Sequence, residues 1–291
     1  MKPALEIQLD GTHGKLAALH WPSGSGPNVL CLHGWLDNAA SFSPMSPWMT
    51  ELNLVAIDLP GHGFSDHRPE GARYYFTEYL WDLDKALDSL GWSSCHLVGH
   101  SLGGAVAALY ACADSERVRS LVLLDVLGPM TAAADETAQR LRRSLASVRS
   151  GPRRVKTYSS LDDMVKLRMS NSNMSESASR LICDRSVRQV EGGFKWRNDP
   201  FLHWVSPYLM TDDQVLDCFE QLQLPVYLIT AEPATIYAGY HGAKKRLPVM
   251  KNLRHETHPG NHHFHMDSAQ DIGKNIQLFI VDQDHQSQEE K

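Results

Sequence analysis

Cys95-His96-Leu97-Val98-Gly99-His100-Ser101-Leu102-Gly103-Gly104 is the stretch on which the reading of this chain turns. An apolar run stops at a serine with a glycine two residues away on either side, and Leu102 to Ala113 continues as a small-residue segment of helical character. A strand that turns sharply into a helix presents its serine oxygen on a tight, strained corner, the arrangement a nucleophile elbow requires. The competing reading is an ordinary glycine-bearing strand-to-helix turn whose serine faces solvent.

Working outward, Asn28 to His33, Leu54 to Asp58 and Val118 to Asp125 are apolar runs of the kind buried on both faces of a sheet. Phe76, Tyr79, Leu80, Leu83, Leu87 and Leu90 recur at helical spacing up to Gly91, and Leu5 to Leu9 with Lys15 to Trp21 give a hairpin signal. The alternation predicts an α/β fold with a largely parallel sheet, in which ligands bind beyond the carboxyl ends of the strands. His33, Asp58, Ser101 and Asp125 fall at such ends and are expected to converge on one rim. From about Val126 to Leu222 polar, helix-favouring segments (136–150, 160–170, 175–190) replace the alternation, which resumes at Val226–Thr230 and Val249–Thr257. A final helix is expected over Ser268–Val281, with a frayed polar tail from Asp282. The expected organisation is therefore a core of residues 1–125 and 223–291 interrupted by a mainly helical cap, 126–222.

The 291 residues are 42% hydrophobic with a formal net charge of -6, which favours a small-molecule substrate over nucleic acid or an anionic membrane surface. The basic residues from Arg140 to Lys156 read as a solvated helix face. Five cysteines without a C-x-x-C pair read as reduced thiols of a cytoplasmic protein, and no stretch reaches the roughly 18 apolar residues of a membrane span. A monomer and a homodimer are both compatible with the composition. No cofactor is expected. A serine at neutral pH needs a base within hydrogen-bond reach, and the loop after the last strand is rich in histidine. His255, His258, His262, His263 and His265 could instead hold a metal, but H-E-x-x-H is absent and a zinc site would leave the serine motif unexplained, so none is expected.

His33-Gly34-Trp35, Asp58-Leu59-Pro60-Gly61-His62-Gly63-Phe64-Ser65, Gly99-His100-Ser101-Leu102-Gly103-Gly104 and Pro259-Gly260-Asn261-His262 together resemble the α/β-hydrolase superfamily. Cys31-Leu32-His33-Gly34-Trp35-Leu36-Asp37-Asn38-Ala39 resembles its serine hydrolase-like branch in particular. The resemblance implies an eight-stranded, mostly parallel sheet, Ser101 as nucleophile, His262 as base with His263 its nearest competitor, and an oxyanion hole from the N–H groups of Trp35 and Leu102. The acid departs from the pattern. Where the superfamily usually carries G-x-x-D, this chain has Ala231-Glu232-Pro233-Ala234. Asp125, at a strand end where a carboxylate can be held rigidly, is preferred, with Glu232 as the alternative. Asp58 and His62 are expected to be structural, and Asp37 and His100 to be wall or orienting groups. The activity so implied is hydrolysis of a carboxylic ester through an acyl-enzyme. A ligand-binding protein that kept the pocket, or a C–C or amide bond hydrolase, is the alternative.

Overall fold

Alternate residues of the central strands feed two separate cores. Leu30, Leu32, Leu121 and Leu123 join one apolar cluster, while Val29, Cys31, Val122 and Leu124 join the other. Such strands are stable only with helices on both faces.

In the computed structural model, which describes residues 3–235 and 243–289, the chain runs in order through a hairpin and a series of strand–helix units. The elements are β1 (Leu5–Asp10), β2 (Lys15–Trp21), β3 (Asn28–Leu32), β4 (Asn53–Ile57), α1 (Glu78–Leu90), β5 (Cys95–His100), α2 (Leu102–Ala113) and β6 (Val118–Leu124). Next come α3 (Thr137–Arg149), α4 (Leu161–Ser172), α5 (Glu176–Ser186), β7 (Val187–Val190), β8 (Gly193–Trp196) and α6 (Asp212–Glu220). The chain ends with β9 (Val226–Glu232), α7 (Ala243–Arg246), β10 (Leu253–Pro259), α8 (Phe264–Asp267) and α9 (Ala269–Glu289). Eight strands form one sheet in the order β1-β2-β4-β3-β5-β6-β9-β10. The pairs β1–β2 and β2–β4 are antiparallel; β4–β3–β5–β6–β9–β10 are parallel. One face carries α1, α2 and α6, and the other carries α9 and the turns at Ala39–Phe42 and Ser46–Trp48.

The small residues of α2 let it lie directly on the sheet. A Cβ on Gly103 would sit 2.2 Å from Leu32 O, and the Gly103 N–H donates to His33 O at 3.0 Å. This close approach sets the start of α2 beside the carboxyl end of β3.

Three boundaries differ from the sequence expectation. The helix expected to run to Val190 ends at Ser186, and β7 and β8 form a hairpin instead. Valines at 187 and 190 favour a strand, and Gly192 and Gly193, with φ of 79° and 136°, make its turn. The last strand begins at Leu253, since Leu247–Val249 is wound into a 3-10 turn by Pro248. The final helix continues to Glu289 where fraying from Asp282 was expected; Asp284 accepts from Arg119 and anchors the added turns. Residues 290 and 291 of that tail lie outside the described residues.

None of the strands between β6 and β9 joins the large sheet. This segment packs on itself through Met164, Val165, Cys183 and Val187, and is tied to the sheet's rim by buried polar contacts. Arg185 of α5 reaches both carboxylate oxygens of Asp58 through Nε, at 3.0 and 2.8 Å, and also bonds Glu6. Asn38 Nδ2 donates to Ile182 O and Ser186 Oγ, each at 2.8 Å. Asp58 and Arg185 are both buried, so removing one partner strands the other in a medium that solvates it poorly. Arg185→Ala should therefore lower stability by about 3–5 kcal/mol. A thermal melt within a degree or so of wild type would contradict this.

Candidate active site

Ser101 follows directly on β5 with φ 51° and ψ -118°, a backbone conformation that a residue with a side chain adopts only under strain. Its N–H donates to Leu124 O at 3.2 Å and its carbonyl accepts from Ala105 N–H at 3.0 Å, so sheet and helix both hold the corner. A Cβ on Gly99 would lie 2.3 Å from the Gly104 Cα, so glycine at both positions allows the strand and helix to meet at this angle. Leu102 and Gly103 open α2, at the end of the helix where backbone donors are in surplus.

His33, Asp58, Ser101 and Asp125 do stand together at the carboxyl ends of β3, β4, β5 and β6. His33 Nε2 accepts the Leu59 N–H at 2.9 Å, which joins the ends of β3 and β4, and burial lowers its pKa to about 4, so it is a neutral acceptor. Asp58 also accepts N–H groups of Ala39 and Phe64, consistent with a structural role.

Asp125 is the carboxylate that meets His262. Its Oδ2 lies 2.6 Å from His262 Nδ1, across 137 residues of chain. The Ala231 N–H donates to Asp125 Oδ1 at 2.9 Å, and Thr235 Oγ1 to Oδ2 at 2.6 Å. Burial pushes the Asp125 pKa up, but the hydrogen bonds from His262, Ala231 and Thr235 outweigh it, and the carboxyl is held below its ordinary value. Burial lowers the His262 pKa, and the bond to Asp125 opposes that fall without cancelling it. Like Ser101, Asp125 has a positive φ, 52°, so both strand ends are bent out of extended geometry. Glu232 is exposed and accepts from Thr257 Oγ1 at 3.2 Å, and no hydrogen bond or ion pair joins it to His262 among the described residues.

His263 turns away from this pair. Its Nε2 lies 3.2 Å from Asp37 Oδ2, while Asp37 Oδ1 accepts from Arg168 of α4. His100 completes this network, with Nδ1 3.5 Å from Asp37 Oδ2 and Nε2–H donating to the His262 carbonyl at 2.9 Å. Desolvation raises the Asp37 pKa, but His263 and Arg168 override it and hold the carboxyl well below the usual range. His255 is exposed and His258 half-buried, and they bond Thr230 and Pro259. Among the described residues, the ligand atoms that lie close enough to share a cation are those of Asp37, His100 and His263. There the Arg168 guanidinium already supplies positive charge to Asp37. Thr235, Arg168 and Arg185 were not identified from the sequence, and their partners lie more than 100 residues away with no local pattern to mark them.

Ser101 and Leu102 border a cavity of about 700 Å³ whose wall is almost wholly apolar. Trp35, Phe76, Val126, Met130, Tyr208 and Met210 contribute to it. Met164, Met169 and Trp196 pack in the core of the segment between β6 and β9 instead, so only a minority of that segment's large apolar residues reach the cavity. Trp35 meets the His203 ring edge-on at a centroid separation of 5.1 Å.

Residues 27–269 match the family model for the α/β-hydrolase fold. Serine hydrolase-like protein 2 of Homo sapiens is 30% identical over 295 residues, covering 94% of this chain and 93% of its own length. A serine hydrolase-like protein of Danio rerio is 28% identical, covering 97% of this chain and 90% of that one. The selenomethionine-substituted crystal structure of hypothetical protein PA1622 from Pseudomonas aeruginosa PAO1 superposes with a TM-score of 0.90 at 34% identity, covering 97% of this chain and 99% of that one. The strained serine after β5, the match across most of the chain and these full-length likenesses have one explanation: the chain belongs to the α/β-hydrolase family, in its serine hydrolase-like branch.

Proposed function

We propose that the protein hydrolyses carboxylic esters through an acyl-enzyme on Ser101. The observation that carries this is the 2.6 Å contact between His262 Nδ1 and the buried Asp125 carboxylate, in a chain whose strained serine opens on an apolar cavity. With Nδ1–H held by Asp125, the lone pair of neutral His262 is on Nε2, the tautomer a general base needs. Ser101 Oγ attacks the ester carbonyl as His262 takes its proton, and the oxyanion forms against the N–H groups of Leu102 and Trp35. His262 then protonates the departing alcohol, and water, activated by the same histidine, releases the acid.

Residues 126–222 act in this reading as the cap, and Met130, Tyr208 and Met210 of that segment support it by lining the cavity. The apolar wall favours substrates with a sizeable hydrocarbon or aromatic group. Asp125 beside His262 weakens the case for a ligand-binding protein, which the missing acid of the usual G-x-x-D motif favours.

Wild-type protein should label with a fluorophosphonate probe and Ser101→Ala should not; a folded wild type that stays unlabelled would sink the enzymatic reading. Asp125→Asn should lower kcat/KM on a soluble ester by up to about 10⁴, whereas Glu232→Gln, at an exposed position, should stay within about two-fold. The reverse ranking would assign the acid to Glu232. Because burial depresses the His262 pKa, the protonated and inactive form accumulates only below the ordinary histidine range. The ascending limb of kcat/KM against pH should accordingly lie below 6.5. A limb centred above pH 7 would contradict this assignment.

A further inference from the structure

The helix α3 is inside out. Along Thr137–Arg149 the residue turned inward is Ser144, with Arg140 and Ser147 half-buried beside it, while Leu141, Leu145 and Val148 are 46%, 57% and 39% exposed. Both sets recur at i, i+4 and i+7 or nearly so, and each therefore forms one stripe. The inner stripe is held by polar contacts, Arg140 Nη1 to Ser206 O and the Val205 N–H to Ser147 Oγ. The apolar stripe meets water.

Through its inner polar stripe, α3 is bonded to residues beside the mouth of the cavity. Ser206 and Tyr208 line the cavity, and Val205, the residue bonded to α3, is itself an exposed apolar side chain. Around the mouth, Trp35, Trp81, Met130 and Tyr208 are all more than 40% exposed and all face the cavity. Exposed apolar side chains on a helix beside the exposed apolar rim of a pocket mark a surface that meets an apolar phase or partner.

Charge selects the partner. Between Thr137 and Leu161 the chain carries seven basic residues and no Asp or Glu, although the whole protein has a net charge of -6. Arg142, Arg143, Arg149, Arg153, Arg154 and Lys156 are exposed. Arg153 acts electrostatically on His203, whose ring meets Trp35 edge-on, so the basic stretch reaches the cavity mouth. A second copy docking through the same face would oppose like charges. A helix with an apolar stripe flanked by arginine on a polar background has the composition of one that lies in a lipid–water interface.

We infer that α3 and the rim of the cavity form a docking surface for an anionic lipid bilayer, with Leu141, Leu145 and Val148 entering the headgroup boundary and the flanking arginines pairing with lipid phosphates. Each basic residue held at such a surface strengthens partitioning about five-fold. Ester substrates would then reach the cavity from the bilayer; this last clause rests on the hydrolytic reading, the docking does not.

The test is co-sedimentation of the full chain with phosphatidylcholine vesicles, with and without about 25% phosphatidylglycerol. Wild type should partition at least about ten-fold more strongly onto the anionic vesicles, and most of this should be lost at about 0.5 M salt, where charge attraction is screened. Leu145→Asp and the pair Arg142→Glu/Arg149→Glu should each weaken binding at least about five-fold, with melting temperature and turnover of a soluble short-chain ester unchanged. Ser101→Ala should bind as wild type does. Vesicle binding by a protein that fails to label with fluorophosphonate would uphold the docking surface and sink only the hydrolytic reading. The proposal is overturned by no preference for anionic vesicles, by equal binding of wild type and variants, or by a dimer in light scattering that Leu145→Asp dissolves while vesicle binding is absent. Binding to polyglutamate but not to vesicles would overturn it in favour of an acidic protein.

Discussion

Three buried carboxylates stand at the carboxyl edge of the sheet, and their need for partners shapes everything above it. Asp37, Asp58 and Asp125 are each about 1% exposed or less. An ionised carboxylate in such a place is tolerated only when paired or fully hydrogen-bonded. Asp58 draws in Arg185, Asp37 draws in Arg168 and His263, and Asp125 draws in His262, Thr235 and the Ala231 N–H. Two of these clamps reach into the segment between β6 and β9, and two reach the loop after β10. The parts of the chain that carry the site are thus brought to the rim by neutralisation of charge, after burial of the apolar strands has built the sheet beneath them.

This division explains which features could be read from the residues. The strands are local: runs such as Asn28–Leu32 and Val118–Leu124 carry their own signal, because both of their faces must be apolar. The turn at Ser101 is local too, since its glycines and small residues sit within five positions of it. The clamps are not. Arg168 and Arg185 lie on helices among other polar residues, and nothing in their neighbourhood separates them from arginines that meet only water. Thr235 follows a loop in which the superfamily's usual acid is missing, and its role becomes visible only when Asp125 is seen beneath it. Asp125 itself was legible because it ends an apolar strand. The β7–β8 hairpin escaped notice because four-residue strands carry too few positions for a period of two to declare itself.

Two levels of histidine serve the same loop. His262 faces Asp125, while His263 and His100 face Asp37, and the His100 Nε2–H also holds the His262 carbonyl. The backbone of His262 is therefore fixed from one carboxylate and its ring from another. A side chain positioned at both ends has little freedom left to lose, which is what the proposed role of His262 in proton transfer requires. His255 and His258, the other histidines of this stretch of sequence, stand apart from the two-tier support and bond Thr230 and Pro259.

The segment between β6 and β9 is subject to the opposite economy. Its inner core is small, and much of its attachment is polar, through arginines and the Asn38 amide. Polar attachment is directional and leaves apolar side chains uncommitted, and in α3 this has gone so far that the helix presents its serines to the protein and its leucines to solvent. An exposed stripe of this kind brings no folding stability to the isolated molecule, since apolar surface left in water contributes nothing to burial. Its composition is better accounted for by what the helix meets than by what it packs against. The arginines that separate this stretch from an otherwise acidic protein, and the exposed aromatic rim to which it is joined, restrict that counterpart to something both apolar and negatively charged.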